Sequence, residues 1–78
     1  MKDLRELREL AGITQFALSR RSQVSRMRLS LAECEQIELN AKEAERITKI
    51  LLAAIQLRHA RIAMVLANEG FEHSPIQP

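Results

Sequence analysis

Between Ile13 and Glu69 the chain contains neither glycine nor proline: Gly12 and Gly70 are its only glycines, and Pro75 and Pro78 its only prolines. These two residue types break helices most strongly, so nothing along that stretch forces the backbone out of one. The material for a core points the same way. Apolar residues make up 46% of the sequence, but only two are phenylalanine and none is tryptophan or tyrosine, so the core must be aliphatic. That composition suits packed helices better than a sheet sandwich. The expected class is all-α. At 78 residues the chain supports one small domain, which buries only about 60% of the surface exposed by its unfolded form.

Several kinds of chemistry find no footing. His59 and His73 lie far apart with no companion spacing of a metal site, and the single cysteine, Cys34, has neither a disulfide partner nor a visible base. Thr14, Ser19, Ser22, Ser25 and Ser30 are better explained as caps and polar helix faces than as nucleophiles. No enzyme, metal or cofactor is therefore expected. The N-terminus shows no apolar signal-like segment, which reads as cytoplasmic. The longest unbroken apolar run, ILLAAI at residues 50–55, falls well short of the roughly 20 residues that span a bilayer, so no membrane segment is expected.

The net charge of +2 conceals a segregation. Residues 14–32 hold Arg20, Arg21, Arg26 and Arg28 with no carboxylate, whereas residues 33–45 hold Glu33, Glu35, Glu38, Glu43 and Glu45 against Lys42. One part attracts polyanions and the next repels them.

Helical spacing and cap residues divide the chain. Leu4, Leu7, Leu10 and Ala11 make the apolar stripe of a first helix, which Gly12 stops. Thr14 caps a second, short helix with Ala17 and Leu18 inward and Arg20 and Arg21 near its end, where cations suit the dipole. After a tight connection in which Val24 plugs the core, Ser25 caps a third helix. Ile37 and Leu39 anchor a polar linker, and Asn40 with Glu43 forms a capping box for a fourth helix.

In combination, LRELRELAGITQ from Leu4, LSRRSQVSR from Leu18, Glu33 and RITKIL from Arg46 resemble the helix-turn-helix domain of the Cro and phage-repressor family, also called the XRE family. The likeness spans residues 4–51 without insertion or deletion. It implies a lambda-repressor-like fold of five helices, or of four with one long C-terminal helix, in which the helix at 25–33 lies in the DNA major groove. It also implies roles. Gln15 would bind a phosphate and brace the first recognition side chain, and Ser25 would touch phosphate while capping. Arg26 and Met27 occupy the positions that most often meet base edges, with Arg28 beside them and Arg20 and Arg21 completing the basic surface. Arginine can grip guanine O6 and N7 together, which makes Arg26 the leading base reader. Arg8 and Glu33 fall where the family ties its first helix to its third by an ion pair, and Leu18, Val24, Leu29 and Ile47 fall at core positions. The implied function is a sequence-specific transcriptional regulator, such as a phage repressor or an antitoxin-type autoregulator with a toxin as protein partner.

Departures from the family pattern set further expectations. Gln23 replaces the usual turn glycine, where a left-handed backbone costs a side chain on the order of 1 kcal/mol. Cys34-Glu35 replaces a basic residue and a glycine, so the third helix is expected to run on past Glu33. Glu35 and Glu38 lie in a loop that usually approaches phosphate, where carboxylates oppose binding. The alternative function is thus a degenerate helix-turn-helix module that has kept only protein contacts.

From Ala41 to Asn68 no breaker occurs, and a continuous helix of that length would be roughly 42 Å long. A short N-terminal unit cannot cover it. The division expected is a DNA-binding domain at 1–54, a C-terminal helix for dimerisation at 55–69 and a tail at 70–78. The homodimer contact falls on Ile55, Ile62, Val65 and Leu66, with Arg58 and Arg61 at its rim; the alternative is a fifth helix folding back onto a monomeric core.

Overall fold

The computed structural model describes residues 1–69; the tail expected at 70–78, with Phe71 and His73, lies outside the described residues. Among those described there are four helices and no strand: α1 (Leu4–Ala11), α2 (Gln15–Ser22), α3 (Arg26–Glu33) and α4 (Ala41–Asn68). The all-α class holds, with one long last helix in place of a fourth and fifth.

Each boundary has a local cause. Gly12 closes α1 in the left-handed region at φ 71°, where the amides of Gly12 and Ile13 reach back to the carbonyls of Glu9 and Arg8. A Cβ at Gly12 would also stand 2.8 Å from the Arg58 guanidinium. Thr14 Oγ1 accepts the Ala17 amide at 3.0 Å and Ser25 Oγ the Arg28 amide at 3.1 Å, so both expected caps are in place. Asn40 and Glu43 form the reciprocal capping box that starts α4.

The third helix does not run on. It stops at Glu33, with Glu35 left-handed at φ 60°. The Glu35 amide bonds the Ala32 carbonyl and the Gln36 amide that of Leu31, the paired closure usually built on glycine. Two recovered carbonyl bonds outweigh the steric cost of a side chain there. Gln23, likewise left-handed at φ 62°, ends α2 through an amide bond to Ser19. Both helix ends thus hold a left-handed backbone without glycine.

The core is aliphatic. Leu4, Leu18, Val24, Leu29, Ile47 and Leu51 are each at most 2% exposed, joined by Ala11, Ile13, Ala32 and Leu39. Leu10 is the exception to the expected α1 stripe, lying 58% exposed; the stripe that faces inward is Leu4, Leu7 and Ala11, at helical offsets of three and four. Ser22 is the buried polar residue, and its Oγ accepts the Val24 amide.

The helix α4 divides in function along its length. Its first half supplies Ile47 and Leu51 to the core, whereas every residue from Gln56 to Glu69 is exposed. The molecule is accordingly elongated, 53 × 20 × 19 Å. By length and composition α4 could cross a membrane, which the longest unbroken apolar run did not indicate. Two features oppose that use: its first half supplies Ile47 and Leu51 to the core, and Arg58 and Arg61 would each cost about 2.5–3.5 kcal/mol at a bilayer centre.

Candidate nucleic-acid interface

Two eight-residue helices, α2 and α3, are joined by the three residues Gln23, Val24 and Ser25, the connection length of a helix-turn-helix. Val24, 2% exposed, pins the turn to the core. The Arg46 side chain reaches from α4 and donates through Nε to the Ser22 carbonyl at 2.9 Å, closing the end of α2. Sequence reasoning missed Arg46, since no local pattern announces a cation that serves a carbonyl 24 positions earlier.

On the other side, a charged cluster fixes α3 to α1. Arg8 Nε donates to Glu33 Oε2 at 2.6 Å, its Nη2 donates to Oε1 at 3.3 Å, and its Nη1 donates to the Ile13 carbonyl at 2.9 Å. The Arg8 and Glu33 side chains are 14% and 5% exposed. Burial pushes the Glu33 carboxyl upward, but hydrogen bonds from Arg8 and Gln15 with the nearby guanidinium charge outweigh it and hold the group below its ordinary 4.5. The Arg8 guanidinium is raised by the same bond to Glu33. Gln15 spends one amide hydrogen here, Nε2 donating to Glu33 Oε1 at 3.0 Å. It therefore braces α3 through the ion pair.

The arginines do not form a uniform patch. Arg28 Nε and Nη2 grip Glu43 at 3.1 and 2.7 Å, which raises the Arg28 guanidinium and, with the Asn40 amide, lowers the Glu43 carboxyl. Its fork is occupied by a carboxylate that also caps α4. Arg20, Arg21 and Arg26 are exposed and in no ion pair among the described residues. Arg20 lies 5.6 Å over the ring of Phe16, itself half exposed, which orients the guanidinium on the surface of α2. Met27 is 74% exposed at the start of α3 next to Arg26. Glu35 and Glu38 stand exposed in the loop after α3.

The C-terminal residues expected at a subunit contact share one face. Ile55, Ile62, Val65 and Leu66 continue the stripe of Ile47 and Leu51 at offsets of three, four and seven residues. Ile55 is part-buried against the core, whereas Ile62, Val65 and Leu66 are 51%, 57% and 45% exposed. Arg58 is not a free rim residue: its Nη1 donates to the carbonyls of Glu9 and Leu10 at 3.3 and 3.0 Å, serving the C-terminal end of α1. No group of three or more His, Cys, Asp or Glu that could hold a metal ion occurs among the described residues. No family model, curated protein or solved structure matches this chain.

Proposed function

We infer that this chain is a sequence-specific DNA-binding transcriptional regulator with a lambda-repressor-like helix-turn-helix, acting in the cytoplasm by occupying an operator. The observation that carries the reading is the set of three exposed arginines without ion partners, Arg20, Arg21 and Arg26, around a three-residue turn whose backbone is capped at both sides. With α3 in the major groove, Arg26 at its first turn meets a guanine edge, Met27 packs beside it, and Arg20, Arg21, Gln15 and the Ser25 cap meet phosphates. Arg28 serves differently: held by Glu43, it orients α3 on α4. Two half-sites require two copies, and a homodimer packs Ile55, Ile62, Val65 and Leu66 against the same stripe of a second chain.

A second reading, an interaction module without DNA binding, is favoured by the neutralisation of Arg28 and by the exposed Glu35 and Glu38. Salt separates the two. Two arginines, Arg20 and Arg21, neutralising two phosphates give a slope of about −1.8 in log affinity against log salt, at about 0.9 per phosphate. Titration of a duplex taken from the DNA flanking its own gene, at several salt concentrations, measures it. A flat response, or no binding at low salt, removes the DNA reading.

A further inference from the structure

An open groove of about 680 Å³ runs along the distal half of α4 beside the α1–α2 connection. From Ala54 to Leu66 it extends about 18 Å along the helix. Its floor is apolar, made by Leu57, Ile62, Val65 and Leu66, and three arginines line it, Arg21, Arg58 and Arg61, with no carboxylate among the described lining residues. Such a surface matches a ligand with an apolar stripe and negative flanks. A second copy matches it poorly, because a two-fold pairing of grooves gathers six arginines around one interface, and like charges brought together disfavour association. Arg21 also belongs to the exposed basic set at the end of α2, so whatever fills the groove lies against one of the proposed phosphate contacts.

We propose that the groove docks an acidic amphipathic helix of a partner protein and that this occupant, by covering Arg21, weakens the chain's hold on DNA. The second half rests on the DNA-binding reading and the first does not. Apolar residues at three- and four-residue spacing on the partner seat on the α4 floor, as in other helix-in-groove docking, while its carboxylates pair with Arg61 and Arg21. Arg58 keeps its bonds to the α1 carbonyls and contributes charge. The same occupant contends with a second copy for Ile62 and Val65, so it acts on half-site pairing and on phosphate contact together.

The test uses two labelled synthetic helices with the same leucine pattern, one carrying glutamate and the other lysine at every remaining position, followed by fluorescence anisotropy on the full chain. The glutamate peptide is expected to bind about tenfold tighter than the lysine peptide, and Arg61→Glu to remove most of that preference. Ile62→Ser, which leaves the charges alone, weakens both peptides. Addition of the glutamate peptide lowers the affinity of the wild-type chain for duplex DNA about threefold or more through the loss of one phosphate contact, and leaves that of Arg61→Glu unchanged. Equal binding of the two peptides, or wild-type behaviour of both variants, overturns the groove. Peptide binding without any loss of DNA affinity overturns the coupling through Arg21. A chain that binds the glutamate peptide but never DNA keeps the groove and loses the regulator.

Discussion

Gln23 and Glu35 hold left-handed backbones that side chains disfavour, at φ 62° and 60°. Glycine at either position removes a steric cost of about 1–2 kcal/mol, offset by about 0.5–1 kcal/mol for a more flexible unfolded chain. Each of Gln23→Gly and Glu35→Gly should therefore raise stability by about 0.5–1 kcal/mol, seen as a rise of several degrees in melting temperature. Their effects on DNA differ, because Glu35→Gly also deletes a carboxylate from the loop after α3 and should tighten binding, whereas Gln23→Gly should not. An unchanged or lower melting temperature for both would show the turns to be unstrained. The Arg8–Glu33 pair makes the opposite kind of contribution. The Glu33 carboxyl is held below 4.5 in the folded chain, so its stabilisation is complete above that value and fades as pH falls through the folded pKa. Glu33→Ala should cost about 2–3 kcal/mol near neutral pH, somewhat under the 3–5 of a fully buried pair because Arg8 retains the Ile13 carbonyl. Melting curves between pH 3 and 7 should converge for the two proteins towards the acid end, in roughly the range where the carboxylate takes up its proton. Parallel curves would show that Glu33 carries none of the acid sensitivity.

At the scale of elements, α2, the turn and α3 were legible in the sequence because their boundaries are written locally: Thr14, Ser25, Asn40 and Glu43 lie beside the backbone groups they cap. The end of α3 was not, because the bonds from Glu35 and Gln36 stabilise a left-handed glutamate that propensity alone disfavours. Long-range pairing was equally hidden. Arg28 and Glu43 are 15 residues apart, and within α3 Arg28 looks like another DNA contact. The structure separates it from Arg26, and that separation is measurable. Arg26→Ala should relax discrimination at one base position by about 1–3 kcal/mol while leaving random-sequence affinity nearly intact. Arg28→Ala should instead weaken specific and random duplexes by the same factor and lower the melting temperature, since it loosens α3 from α4 and exposes Glu43 to phosphate. A base-specific loss from Arg28→Ala would mean that its grip on Glu43 opens on the DNA.

For the whole molecule, the division of α4 into a core half and an exposed half sets which surface a second copy would meet. The buried stripe of Ile47 and Leu51 lies where α4 packs on α1 and α2, while its continuation through Ile62, Val65 and Leu66 is about half exposed within the described chain. Breaker-free sequence revealed the helix length, but not that Arg58 would turn back onto the carbonyls of α1. Pairing two such stripes buries apolar surface at roughly 25 cal/mol per Å² and at the same time crowds Arg21, Arg58 and Arg61 of both copies. The expected outcome is a weak homodimer whose association strengthens as salt rises, because the screening length shrinks from about 10 Å at 0.1 M to about 3 Å at 1 M. DNA binding should move the opposite way over the same range, so a salt series distinguishes the two contacts in one preparation. Sedimentation of the wild-type chain and of the double variant Ile62→Asp, Val65→Asp reads the subunit contact directly. The variant should sediment as a monomer with its helix content and melting temperature nearly unchanged, since both residues are exposed and outside the core. A variant that still dimerises moves the interface elsewhere on the molecule, and a wild-type chain that is monomeric at every concentration and salt leaves the distal half of α4 to a partner of another kind.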